Sequence, residues 1–305
     1  MAEWDPDVTI DEPLVRALLA EQFPQLGAQS VQLLGEGFDN SVWVVDGEWS
    51  FRFPRRAVAV DLVARELAVL PRLALLVQIP IPVPAFVGTE SELFRRPFFG
   101  HRLLAGVEPA DALLTDADRA HLGGCIGRFL RELHAPATRE AIDVERMLPV
   151  DPNRRADMPF RVAKAREWLD RLTDLASQHR SAAERILDDG ELLGPSSNEV
   201  LVHGDLHVRH VLIDEGEISG VIDWGDVCVG DPAIDLQFVW SVVPPDARDE
   251  VLANYGPLDD EAELRARVLA IMLSTVLVLY ARHERLAALE RESLAGLERT
   301  LVDWD

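Results

Sequence analysis

Apolar and polar positions alternate through the first patterned stretch of the chain. Val31 to Phe53 reads VQLLGEGFDNSVWVVDGEWSFRF, with β-branched and aromatic residues around the glycines at 35 and 37 and the Asp46-Gly47 pair. A period of two broken by two turn signals predicts three antiparallel strands. Before it, a short amphipathic stretch runs around Pro13 to Ala20. The period lengthens over Val60 to Leu73 (VDLVARELAVLPRL), where Leu62, Val63, Leu67 and Leu70 predict a helix and Pro71 an end or kink. In IPIPVPAFVG (Ile79 to Gly88) the alternate prolines exclude a helix and leave an extended connection or edge strand.

A β-like piece, Leu93 to Leu104, leads into the loop Ala105 to Pro109. Beyond it helical spacing predominates, over Asp118 to His134, Phe160 to His179, Glu261 to His283 and Ser293 to Val302. One β-rich island, Glu199 to Asp223, interrupts it. The class is therefore α+β, with a small β-rich unit followed by a larger, mainly helical one.

Composition narrows the function. The 305 residues carry 53 Asp and Glu against 30 Lys and Arg, a net charge of -23, which disfavours nucleic acid and attracts cations, amines or divalent metal. Hydrophobic content of 48% is enough for a packed core and excludes disorder as the main state. Cys125 and Cys228 are too few for a disulfide framework and lack CxxC spacing. The opening MAEWDPDVTIDEP has neither a basic start nor an apolar run, so a cytoplasmic protein is expected. Ala270 to Ala281, the most apolar stretch, is shorter than the ~20 residues that cross a bilayer and is expected to be a buried core helix rather than a membrane anchor.

The island EVLVHGDLHVRHVLIDEGEISGVIDWGD holds the chemistry. Val200 to Val202 predicts a strand ending in His203-Gly204-Asp205, and Val211 to Ile213 a second. After the Glu215-Gly216-Glu217 turn, Ile218 to Ile222 runs into Asp223-Trp224-Gly225. Hairpin pairing of neighbouring strands would gather Asp205, His210 and Asp223. A carboxylate to orient a hydroxyl, with two ligands for Mg²⁺, suits phosphoryl transfer. Taken singly, His and Asp at strand ends are also ordinary turn formers and caps.

HGDLHVRH resembles the catalytic loop of the kinase-like antibiotic phosphotransferases, and IDWGD their metal-binding segment. VGDPAIDL (Val229 to Leu236) looks like the DPAxDL signature that starts the next helix. The resemblance implies a bilobal protein-kinase-like fold, with a nucleotide-binding lobe over 1–98, a hinge at 99–102 and a catalytic lobe over 103–305. It makes Asp205 the catalytic aspartate, and His210 and Asp223 the Mg²⁺ ligands. Where aminoglycoside kinases carry Asn this chain has His210, and that form, HGDxxxxHxxID, resembles the macrolide 2′-phosphotransferases.

In the N-terminal unit the resemblance implies nucleotide contacts at Gly35, Gly37, Asn40 and Ser41 of the glycine hairpin and at the Arg52 and Glu66 pair. It also implies contacts from backbone groups of the hinge at Phe99, Gly100 and His101. Arg52 replaces the usual Lys and can bridge phosphate and carboxylate. Arg55 and Arg56 are expected to be solvated. Asp231 is expected either to orient a cationic substrate beside Asp205 or to cap the following helix. Phe160, Trp168, Phe238, Trp240, Tyr255, Met272 and Leu279 offer apolar surface for a bulky acceptor, although helical apolar stripes are mostly core. The implied activity is transfer of the γ-phosphate of GTP, or ATP, to the 2′-hydroxyl of the macrolide desosamine, by a monomer. An aminoglycoside or other hydroxyl kinase of the same fold, and a catalytically dead nucleotide-binding relative, remain open alternatives.

Overall fold

A computed structural model of the protein describes residues 6–37, 39–196 and 198–304. The chain forms two compact units. One comprises the chain up to Leu75 together with Pro80–Ala105; the other comprises Leu76–Ile79 and the chain from Gly106 onward.

The first unit contains α1 (Glu12–Gln22), β1 (Val31–Glu36), β2 (Asn40–Val45), β3 (Trp49–Pro54), α2 (Ala59–Leu73), β4 (Pro84–Gly88) and β5 (Phe98–Arg102). Its five strands form one antiparallel sheet in the order β1-β2-β3-β5-β4. The Pro-rich stretch supplies β4 at an edge, where missing N–H groups cost least. Phe51, Phe53 and Phe98 are fully buried; Phe51 stacks on Phe86 and Phe53 on Phe98, while Phe23 and Phe94 meet Phe98 and Phe53 edge-on, so the apolar face of the alternating strands becomes one aromatic core. Helix α2 continues two residues past Pro71. A proline in the last turn deprives only one carbonyl of its donor.

The expected hinge at 99–102 is corrected. Those residues lie in β5, flanked by β3 and β4, where Arg52 pairs with Phe99 and Phe51 with Gly100 on one side, and Val87 and Phe86 with the same two on the other. A strand with two neighbours spends its backbone groups on the ladder. Phe99 and Gly100 therefore cannot also present an edge to a base, and the chain leaves the unit only after Ala105.

The second unit contains α3 (Asp116–Leu133), α4 (Pro136–Ile142), α5 (Met158–Arg171), α6 (Ser177–Glu191), β6 (Val200–Val202), β7 (Val211–Asp214), β8 (Glu217–Val221), β9 (Cys228–Gly230), α7 (Ala233–Val242), α8 (Arg248–Tyr255), α9 (Asp260–Glu284) and α10 (Ala287–Thr300). The single helix expected over Phe160 to His179 is two, because the chain turns between Arg171 and Ser177 and Asp174 in that turn pairs with Arg282 at 2.8 Å. By length and composition α9 could cross a membrane, but two-thirds of its most apolar window is buried, and it packs against α5, α7 and α10. Every residue of α7 is buried, which explains its lack of a polar face.

The strands on either side of the expected Glu215-Gly216-Glu217 turn do form a hairpin, whereas the strand at 200–202 takes a partner from beyond Asp223. β6 pairs with β9, and β7 with β8, in two separate antiparallel ladders. The functional residues stand in the loops between these ladders.

Candidate catalytic site

The loop after β6 is fastened from below by a carboxylate. Asp235, in the first turn of α7 and wholly buried, accepts the backbone N–H of His203 at 2.7 Å and of Gly204 at 3.0 Å, and contacts His134 Nε2 at 3.1 Å. Gly204 has φ +89, and a Cβ there would stand 2.3 Å from the carbonyl oxygen of Asp226. Only glycine allows this crossing of two loops. Gly204→Ala is expected to cost about 2–3 kcal/mol in urea unfolding, from the left-handed backbone and the displaced Asp226 together.

Hydrogen bonds assign the ring protons of the histidines. His203 Nδ1 accepts the N–H of Asp205 at 3.2 Å, so its Nε2–H donates to the carbonyl of Ile222 at 2.9 Å. His207 Nδ1 accepts the N–H of Arg209 at 3.2 Å, and its Nε2–H faces Asp205 Oδ2 at 3.5 Å. His210 is the reverse. Its Nδ1 lies 2.7 Å from the carbonyl oxygen of Asp205 and must donate to it, leaving the Nε2 lone pair 3.4 Å from Asp223 Oδ2. Two electron-rich atoms facing each other at that distance call for a proton or a cation between them. A divalent metal therefore fits His210 and Asp223, whereas His207, its Nε2 protonated toward Asp205, is a partner of the carboxylate and not a ligand.

Asp205 sits among cationic and polar groups. Burial by itself would raise its pKa, but His207, His210 and Arg155 outweigh burial and hold the carboxyl far below the usual range. Burial, reinforced by His210, pushes His207 down to about 4, so it is neutral at pH 7. Arg155, from the loop before α5, reaches both Asp205 Oδ1 at 3.4 Å and Asp226 Oδ2 at 2.9 Å. The loop is shaped by Asp151, whose two carboxylate oxygens accept the N–H groups of Arg155 and Ala156 at 2.7 and 2.8 Å.

Beside Asp205 opens a cavity of about 410 Å³ within the second unit. Its apolar wall includes Phe160, Trp168, Leu269 and Met272; Arg155, Arg161 and Lys164 also line it, and Asp205 is the only carboxylate among its described lining residues. Of the aromatic residues expected to offer acceptor surface, Phe238 and Trp240 are instead core, and Tyr255 bonds to His134 at 2.9 Å.

Asp231 does not line this cavity. It is buried at the start of α7, where Oδ1 accepts the N–H of Ala233 at 2.7 Å and Oδ2 lies 4.0 Å from Arg265. Of its two expected roles, capping is the one this geometry serves, because an Asp ahead of a helical Pro-Ala meets donors that have no intrahelical partner.

In the first unit, Arg52 and Glu66 form a buried ion pair of 2.7 Å joining β3 to α2. Gly35 lies in β1 and Gly37 in the turn that follows, where its N–H donates to the carbonyl of Asn40 at 2.9 Å. Phe38 lies outside the described residues. Neither glycine has a left-handed φ, and a Cβ on Gly35 would meet nothing among the described residues. The sheet itself thus gives no reason for glycine at that position. The Oδ1 atom of Asn40 is buried without a hydrogen-bond partner among the described residues, while Ser41 Oγ accepts the indole N–H of Trp43 at 2.8 Å. Arg55 and Arg56 are not simply solvated. Arg55 donates to the Gly37 carbonyl at 3.2 Å and Arg56 to Asp39 at 3.1 Å, clamping the turn. His101 is buried with its Nδ1 2.8 Å from the carbonyl of Arg102, and burial pushes its pKa down to about 4.

Sequence reasoning missed His207, Arg155 and the tie from Asp235. His207 could have been read from its place two residues after Asp205. No local signal marks Arg155, which lies 50 residues before its partner.

Residues 30–269 match the family model of the phosphotransferase enzyme family, APH, and the chain belongs to that family. It is similar to the GDP complex of an aminoglycoside 2′-phosphotransferase-IIIa, with 25% identity, a TM-score of 0.70, and coverage of 96% of this chain and 99% of that one. The fold is shared with a macrolide 2′-phosphotransferase from Brachybacterium faecium, at 24% identity and a TM-score of 0.59, covering 94% and 98% of the two chains. Among curated proteins it is 30% identical to viomycin phosphotransferase of Streptomyces vinaceus over 134 residues, 40% of this chain and 46% of that one. A second, the uncharacterized protein YcbJ of Bacillus subtilis, is 49% identical over 50 residues, 16% of this chain and 15% of its own length. The matches thus span less than half the length of these curated relatives.

Proposed function

We propose that this protein transfers the γ-phosphate of a nucleoside triphosphate, GTP in the first instance, to the 2′-hydroxyl of a macrolide amino sugar. The observation that carries this reading is the cavity beside Asp205, apolar on one wall and with a single carboxylate in its described lining. An aminoglycoside carries several ammonium groups and needs several acids. Here Arg161 and Lys164 lie along the same wall and repel a polycation. A lactone with one amine next to its reactive hydroxyl fits an apolar groove ending in one Asp. The aminoglycoside reading is favoured by the higher structural similarity to an aminoglycoside enzyme, so His210 alone does not decide the acceptor.

Asp205 orients the hydroxyl. As its oxygen bonds to the γ-phosphorus and the bond to the β-phosphate oxygen breaks, the nucleoside diphosphate leaves and the proton passes to Asp205 Oδ. A carboxyl held so acidic is a weak base, so the proton moves late, once the attacking oxygen has lost electron density to phosphorus. The Nε2 atom of His210 and the Asp223 carboxylate would hold Mg²⁺, which when bound neutralises phosphate charge. In the first unit the Arg52 and Glu66 pair and the turn at 35–41 are the nucleotide candidates.

Incubation with Mg²⁺, GTP or ATP, and either erythromycin or kanamycin, followed by mass spectrometry, is expected to add one phosphate to erythromycin and none to kanamycin. Phosphate on kanamycin alone overturns the macrolide reading, and phosphate on neither overturns both.

A further inference from the structure

A second set of metal-ligating side chains stands in the second unit, apart from the site just described. His121 and Cys125 lie four residues apart on α3 and so share a face. Glu217, the first residue of β8, projects to the same place, and its two carboxylate oxygens each lie 3.0 Å from His121 Nε2. The nitrogen, the sulfur and a carboxylate oxygen all lie within 4.8 Å of one another. We propose that His121, Cys125 and Glu217 form a binding site for a zinc-like, borderline-soft divalent cation.

Size and charge both support it. Zinc bonds of roughly 2.0–2.3 Å in tetrahedral geometry place ligand atoms about 3.3–3.8 Å apart. The cluster needs only to open slightly between His121 and Glu217 and to close slightly around the sulfur. Neutral imidazole, thiolate and carboxylate together balance a 2+ charge; on binding the thiol proton is released to solvent, and the His121 ring, whose Nε2–H now faces Glu217, passes to the tautomer protonated at Nδ1. The mixed N, S and O set excludes Mg²⁺ and Ca²⁺, which take oxygen ligands, and leaves the fourth position to water. The competing group is Arg128, whose Nη2 lies 3.2 Å from Cys125 Sγ; it has Asn254 Oδ1 at 3.4 Å as a second partner on which to remain when the metal enters. Cys228 cannot substitute for Cys125, being fully buried in β9.

The position gives the site a consequence. Glu217 opens the strand that follows the β7–β8 turn; β7 begins directly after His210, and β8 ends two residues before Asp223. A metal fastening Glu217 to α3 restrains the hairpin whose open end carries both catalytic metal ligands.

The site is tested by titrating the purified full chain with Co²⁺ and with Zn²⁺ against a chromophoric indicator. The wild type is expected to show a thiolate-to-cobalt charge-transfer band that Zn²⁺ abolishes. Cys125→Ser removes the band, and His121→Ala and Glu217→Gln each weaken Zn²⁺ binding at this site by tenfold or more. Asp223→Asn, which alters the other metal site, leaves the band intact. Absence of the band in the folded wild type, or its survival in Cys125→Ser, overturns the proposal. These readouts need no acceptor, so they stand apart from the test of the phosphotransfer reading.

Discussion

Asp205→Asn is expected to lower turnover by about 10²- to 10⁴-fold with any accepted acceptor, while nucleotide binding stays close to wild type. The amide has the size of the carboxylate, but its one oxygen can accept from only one of Arg155, 3.4 Å from Oδ1, and His207, 3.5 Å from Oδ2, and its NH2 then faces the other. What it cannot do is take the hydroxyl proton or carry the charge that His207, His210 and Arg155 surround. Single-turnover transfer measured beside nucleotide titration separates the two effects. Near-normal transfer by the variant would remove Asp205 from the mechanism.

Asp235→Ala is expected to cost about 3–5 kcal/mol of stability, measured by urea unfolding, and to take activity with it. The carboxylate is wholly inaccessible, and its loss strands the buried N–H groups of His203 and Gly204 together with the His134 ring that meets it at 3.1 Å. Those N–H groups belong to the two residues before Asp205. Losing their anchor lets the catalytic carboxylate drift, and displacement of a reacting group by about 1 Å can cost 10²-fold in rate. Asp235→Asn keeps one acceptor oxygen and should lose roughly half as much. A variant Asp235→Ala with wild-type stability would show that the loop is held by other contacts.

Both expectations concern residues whose type was readable in sequence but whose partners were not. HGDLHVRH and IDWGD single out Asp205, His210 and Asp223, and DPAIDL marks the start of the next helix, where Asp235 reads as structural. Arg52 and Glu66 were legible too. One lies in a strand of period two and the other in the helix that follows, and their pairing closes a 14-residue separation. Less legible was the route of the chain between motifs. The partner of the strand at 200–202 was not readable: it is three buried residues, Cys228 to Gly230. So short an apolar run has no period to read.

The sequence by itself determined the two-unit α+β plan, the five-stranded sheet's first three strands and the motifs that hold the candidate site residues. These follow from local spacing, turn residues and motif, which act over a few residues at a time. Tertiary structure alone decided that Arg155 reaches Asp205, that Asp235 anchors the catalytic loop while Asp231 caps a helix, and that 99–102 is an interior strand rather than a linker. It also decided which ring nitrogen of each site histidine carries the proton. Each depends on contacts between segments far apart in the chain, where burial strips water from polar groups and leaves them only the partners the packing supplies.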